Sequence, residues 1–317
     1  MNKVLRFVKD WMLPMAIVLG ISLYLLYHFT PALHSYGRWL HPLASEGQRV
    51  VIATLLFFQF VKISPHDIKL CAWHWKALAI QAGSFFVLAA IIYFLSPGTP
   101  RTLLECAMLC MICPTASAAG VITDRLGGDL AATVSYLVMI NVAGTFLIPL
   151  VIPLVNPSVH MAFWAYVGHI ALKVFPVLIL PGLAAWAIRY TTHRLQRRLM
   201  RWASNSFYVW GVGLTLAMVL STRALLLSGL GAWSIAGIVA VSVLCCAAQF
   251  FAGRRMEKER IPSLTAGQAL GQKNTGFLIW LGYNYMTPVT SVAGGLYAIW
   301  QNLFNSWELY RKEHPAR

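Results

Sequence analysis

The residues of this chain that could do chemistry gather at two interruptions of apolar sequence. The first is Cys113-Pro114-Thr115-Ala116-Ser117-Ala118-Ala119-Gly120, inside an otherwise apolar run from 102 to 124. Proline removes a backbone donor and clashes with the preceding turn. Carbonyls are freed there, and hydroxyls such as those of Thr115 and Ser117 can re-satisfy them. The second is Ala269-Leu270-Gly271-Gln272-Lys273-Asn274-Thr275-Gly276, a polar, glycine-flanked segment inside the run 262–285. An ammonium in such a run costs several kcal/mol unless it is paired, solvated or snorkelling. Lys273 is therefore the first candidate, with Gln272 and Asn274 beside it. Lys173 is the other basic residue within an apolar run, and His169 lies four residues before it on the same helix face. That pair could anchor a carboxylate or share a proton. Equally, Lys173 could bond carbonyls freed by Pro176 and Pro181, or face a wet cavity.

Positioning such residues requires long apolar helices. The 317 residues are 58% hydrophobic and only 11% charged, with a mean hydropathy of +0.65. Soluble domains carry roughly a quarter charged residues, so lipid is the solvent this chain expects. Spans are predicted near 12–29, 46–63, 76–95, 102–124, 129–151, 161–190, 204–226, 232–252, 262–285 and 288–310, each helical because lipid leaves backbone groups no other partner. The first run follows Lys3, Arg6 and Lys9 but is long and lacks a small-residue cleavage site, so it reads as a retained span rather than a signal peptide. The expected class is an all-α membrane protein of ten transmembrane helices in one transporter domain, residues 1–317. It divides into five-helix repeats at 1–151 and 161–310, the second inverted. The interrupted span is then the fourth of each half, an arrangement that marks a transporter site at the membrane midplane. Half-helix N-termini meeting there would offer positive dipole ends to an anion. The plainer alternative is two ordinary helix kinks.

A net charge of +15 could suggest nucleic acid, but the cations sit in short loops and form no continuous patch. With ten spans, 19 Lys and Arg residues fall on the side of the termini, from Lys3 to Arg317, and only Arg38, Arg49, Arg101 and Arg223 on the other. By the positive-inside rule both termini are cytoplasmic, in a multi-pass cell membrane protein of the bacterial inner-membrane type. Six cysteines form no disulfide framework. Cys106, Cys110 and Cys113 share a helix face, read as packing in preference to metal binding. Glu105 is expected as an interfacial carboxylate, with a coupling proton as the other reading. Asp129 is expected to cap a helix, and the basic run from Arg194 to Arg201 to lie amphipathically on the cytoplasmic surface.

At the two interruptions the chain resembles the bile acid:sodium symporter family. The family pattern runs Cys-Pro-Gly-Gly, then Ser-Asn, a Thr, and a Gly-Asp or Gly-Asn pair; Cys113, Pro114, Thr123, Gly128 and Asp129 match at the same spacing. In the ninth span the pattern is Glu-x-Gly-x-Gln-Asn, matched by Gly271 and Asn274. The resemblance implies crossing helices four and nine, a panel of helices 1, 2, 6 and 7, and a core of helices 3–5 and 8–10. It also implies two buried sodium ions. Their ligands are largely missing: the Ser-Asn pair falls on Ala119 and Gly120, the glutamate on Ala269 and the glutamine on Lys273. Thr133 keeps one family hydroxyl, the next falls on Leu137, and Gln81 corresponds to a sodium-site glutamine. At ~4 Å two cations repel by about 4 kcal/mol even at an effective dielectric of 20, so both sodium sites are expected to be lost. Two sodium ions and one carboxylate sum to the single positive charge that Lys273 brings alone.

The expected function is secondary transport of an organic anion, bile-acid-like or smaller, without sodium. Lys273 would stand in for an ion and donate to helix-end carbonyls near Gln81, Thr133 and Asn274. If the register slips, Gln268 or Gln272 could serve as a sodium ligand while Lys273 snorkels, giving an ordinary sodium symporter. A non-transporting membrane sensor of the same fold is a further alternative. An enzyme would need its acid, base or nucleophile clustered, and Glu105, His169, Lys173 and Lys273 do not converge by spacing. No cofactor is expected; the partners are a small organic anion and the lipid bilayer, and the oligomeric state is left open.

Overall fold

The structure is a computed structural model and describes residues 3–158, 160–203 and 206–314. Arg317, counted above among the inner cations, lies outside the described residues. Those residues form fourteen α-helices and no strand. They are α1 (Lys3–Phe29), α2 (Gly37–Lys62), α3 (Ala72–Tyr93), α4 (Thr99–Ile112), α5 (Ala119–Leu126), α6 (Leu130–Val155), α7 (Phe163–Leu178), α8 (Leu180–Thr191), α9 (His193–Ala203), α10 (Ser206–Leu227), α11 (Ala232–Arg255), α12 (Arg260–Gly271), α13 (Thr275–Tyr285) and α14 (Thr290–Glu313).

The helices follow the predicted runs. Helices α3, α6 and α11 and the segment Tyr208–Leu227 of α10 are long and apolar enough to cross a membrane. Two bent pairs, Pro14–Phe29 with Pro31–Lys62 and Phe163–Leu178 with Leu180–Thr191, raise the number to six. The fourth and ninth runs are instead broken into α4/α5 and α12/α13, so neither contains a continuous span. α14 is long, but its last two turns hold Glu308, Arg311 and Lys312. Length and composition therefore support four to six crossings. An exterior bearing Leu19, Phe86, Phe146, Leu172 and Leu244 suits a lipid solvent.

Local chemistry sets the boundaries. Asp129 caps α6 by accepting from the Ala132 amide at 3.0 Å, satisfying one of the free donors of a helix start. Gly127 ends α5 at φ 84°, a left-handed conformation that favours glycine. The bend between α7 and α8, 40°, follows Pro176 and precedes Pro181. The run from Arg194 to Arg201 forms α9, an amphipathic helix.

Two groups of helices appear in the packing. α2 lies against α7, α8, α9 and α10, and α1 against α10. In the other group α11 packs on α4, α12 and α14, α3 on α4 and α6, and α13 on α14. The groups meet along α6–α7, α2–α13, α10–α13 and α10–α14. Helices α11 and α12 approach closely at Gly253, where an added Cβ would lie 2.7 Å from the Gly267 Cα and 2.8 Å from the Ala266 carbonyl carbon. Backbone cannot yield as a side chain can, so Gly253→Ala is expected to separate α11 from α12 and cost about 1–3 kcal/mol. An unchanged thermal midpoint for purified Gly253→Ala would show that this contact is looser than described.

Candidate functional site

The two broken helices cross at their breaks. After α4 ends at Ile112, Cys113 to Ala118 run in a non-helical segment; after α12 ends at Gly271, only Gln272 to Asn274 separate it from α13. Thr115 and Lys273 pair as an isolated antiparallel bridge. The Ala116 amide donates to the Gln272 carbonyl at 3.0 Å, and the Asn274 amide to the Pro114 carbonyl at 2.8 Å. Gly271 is required at the turn because an added Cβ would collide with the Phe250 ring.

Breaking a helix leaves carbonyls without their partners four residues on, and here neighbouring side chains claim them. Gln81 Nε2 donates to the Met111 and Cys113 carbonyls at 2.8 and 3.2 Å. Gln249 Nε2 donates to the Cys110 carbonyl at 3.1 Å. The Tyr297 hydroxyl donates to the Gly271 carbonyl at 2.8 Å, and the Thr115 hydroxyl to the Ala269 carbonyl at 2.7 Å. Gln301 grips the backbone of Lys273 at both groups. Its Oε1 accepts from the Lys273 amide at 2.8 Å, and its Nε2 donates to the Lys273 carbonyl at 3.2 Å. Asn274 caps α13 through its Oδ1, which accepts from the Phe277 amide at 3.2 Å.

That arrangement corrects one expectation. Lys273 is fully buried, yet its Nζ has no hydrogen-bond partner among the described residues. It does not donate to helix-end carbonyls near Gln81, Thr133 or Asn274. The freed carbonyls are already satisfied by side-chain amides and hydroxyls. No metal-binding group was found among the described residues.

The side chains expected to serve an ion also make hydrogen bonds of their own. Gln81 Oε1 accepts from the Tyr136 hydroxyl at 2.5 Å, and Thr133 Oγ1 donates to the Asp129 carbonyl at 2.9 Å. Gln272 Nε2 donates to Gln268 Oε1. Ala119 and Ala269 are fully buried and bring only methyl groups.

The crossing thus gathers Thr115, Gln272, Lys273, Asn274 and Gln81. Ser117 is half-buried on the segment before α5, and Thr123 is buried on α5 with its hydroxyl unpartnered among the described residues. Thr133 stands on α6. His169 and Lys173 lie on α7, where the His169 ring is 6.4 Å from that of Tyr285 on α13. Glu105 pairs with Arg101 at 3.1 Å.

Sequence reasoning missed several polar residues of the interior. Gln48, on α2, approaches Gly276 in the first turn of α13 and keeps an Oε1 without a partner among the described residues; both side-chain amide atoms of Asn141 are likewise buried and unpartnered among them. Glu308, 6% exposed, accepts from Arg254 and from Gln268. Gln268 in turn accepts from Gln272, so a hydrogen-bonded file runs from Arg254 to the residue before Lys273. The available signal was a polar residue within an apolar run, at 48, 141 and 308 alike.

A model of the SBF-like CPA transporter family matches residues 11–278. That range holds both breaks and ends within α13, so Tyr297, Gln301 and Glu308 of α14 lie outside it. A comparison with curated proteins returns no match.

Proposed function

We propose that this chain, which belongs to the SBF-like CPA transporter family, is a secondary transporter that moves an organic anion without sodium. Family membership makes it a multi-pass membrane protein of a transporter family, which agrees with a role outside enzymology. The finer reading is ten spans in two inverted repeats, with both termini on the cytoplasmic face of the cell membrane, as the distribution of cations favours. Helices α1, α2, α7, α8 and α10 form a panel; α3 to α6 and α11 to α14 form a core that moves against it. The packing of the helices into two groups supports this division.

One observation carries the proposal: Lys273 lies fully buried where two broken helices cross. Lys273 replaces sodium by its charge and its place in the crossing, not by coordination. A protonated Lys273 there favours an anion nearby, because Coulomb attraction is strong where water is scarce. Gln48 and Asn141 are candidates to meet the substrate, and Lys173 with His169 a second contact on the panel.

The test is thermal unfolding of purified protein titrated with sodium against potassium, beside organic-anion counterflow in proteoliposomes. A ligand that binds the native state raises the midpoint. Equal midpoints in both salts, with counterflow that ignores the sodium gradient, are expected. A selective rise in sodium would make the protein an ordinary sodium symporter. Anion binding without counterflow would make it a sensor.

A further inference from the structure

We propose that a basic cavity on the outer edge of the core binds the phosphate headgroup of an anionic phospholipid. The cavity, about 430 Å³, lies between the ends of α5, α11, α12 and α14. Four cations line it: Arg254 in the last turn of α11, Arg260 at the first residue of α12, and Arg311 and Lys312 in the last turn of α14. The one acid in the lining is Glu308, buried and already bonded to Arg254. Of the neighbouring acids, Glu257 pairs with Lys76 at 3.3 Å, while Asp124 and Glu259 do not line the cavity. Positive charge therefore remains in excess. Arg260 and Arg311 are exposed, and the Arg311 guanidinium lies 4.9 Å from the Trp307 ring centroid. Lys312 Nζ donates to the Arg125 carbonyl at 2.6 Å, which holds it at the rim.

The remaining wall decides what kind of anion enters. Phe251 is 56% and Trp307 50% exposed, and both line the same cavity as the guanidinium groups. Exposed Leu244 and Leu303 lie two turns and about one turn before them on α11 and α14, extending an apolar track along both helices. Cations beside aromatic rings, with aliphatic surface running away from them, suit a headgroup at the interface and its acyl chains in the bilayer. Guanidinium groups match phosphate oxygens in a two-point hydrogen bond. A transported anion is disfavoured, because none of α1, α2, α7, α8 or α10 lines the cavity. The proposal rests on the membrane reading above, but not on substrate or coupling.

Delipidated wild type and the double variant Arg260→Gln/Arg311→Gln should be compared by native mass spectrometry and thermal unfolding. The probes are phosphatidylglycerol, phosphatidylcholine and inorganic phosphate. Both substituted side chains are exposed, so equal midpoints without lipid are expected and report intact folding. Phosphatidylglycerol should bind wild type and raise its midpoint, with affinity at least tenfold weaker in the variant. Retention of phosphatidylglycerol by a folded double variant, or equal binding of phosphatidylcholine, would overturn the site. Stabilisation by inorganic phosphate to the same extent would overturn the lipid assignment and leave a free-anion site. None of these readouts needs transport, so failure here is distinguishable from failure of the transport reading.

Discussion

Lys273→Met is expected to raise the unfolding stability of the protein by about 1–3 kcal/mol while lowering organic-anion transport at least tenfold. The two effects have opposite signs because they come from the same feature. The Lys273 side chain is fully buried and its Nζ has no hydrogen-bond partner among the described residues. Burying a polar group without a partner costs about 1–3 kcal/mol in mutational series, and a charged one more. Methionine keeps much of the length and loses the charge. The bonds that Gln301 makes to residue 273 go to its backbone, so the crossing keeps its geometry. Proteins often carry such a cost where function requires it. Chemical or thermal unfolding in detergent gives the first effect and proteoliposome counterflow the second. A variant that is less stable and transports at the wild-type rate would assign Lys273 to structure alone.

Arg101→Met is expected to destabilise the chain by about 3–5 kcal/mol, the range found when one partner of a buried ion pair is removed. Arg101 Nε donates to Glu105 Oε1 at 3.1 Å, where the carboxylate side chain is only 3% exposed. The same guanidinium donates to the Leu95 carbonyl at 2.6 Å and to the Val155 carbonyl. It therefore ties the start of α4 to the ends of α3 and α6. Losing it strands a buried carboxylate and two carbonyls. The double variant Arg101→Met/Glu105→Met removes the stranded charge and should recover more than half of the loss. If the single and double variants are equally unstable, the carbonyl bonds matter and the ion pair does not. Glu105, expected as an interfacial carboxylate, is buried and paired with Arg101 at the start of α4.

How much of this was legible in the sequence varies with the range of the interaction concerned. The breaks at Pro114 and around Gln272 were legible because proline geometry and a polar segment act on their own helix. The capping by Asp129 was legible for the same reason. That Ala119, Gly120 and Ala269 bring no side-chain oxygen to the breaks could be read from residue types. The partners of the crossing could not. Gln301 lies 28 residues from Lys273, and Gln249 lies 139 from Cys110. Neither has a spacing that connects it to a break.

By itself the sequence determined the solvent, the helical class, the places where helices break and the charge brought to the second break. These follow from run length, composition and backbone chemistry within a few residues. Only the tertiary structure decided what surrounds that charge. Side chains from α3, α11 and α14 satisfy the freed carbonyls, and the buried Lys273 Nζ is left without a hydrogen-bond partner among the described residues. It also decided that Glu308, near the end of the last predicted span, is buried by Arg254 and Gln268. Competition among donors for a limited set of carbonyls is a property of packed helices, and no single segment of the chain contains it.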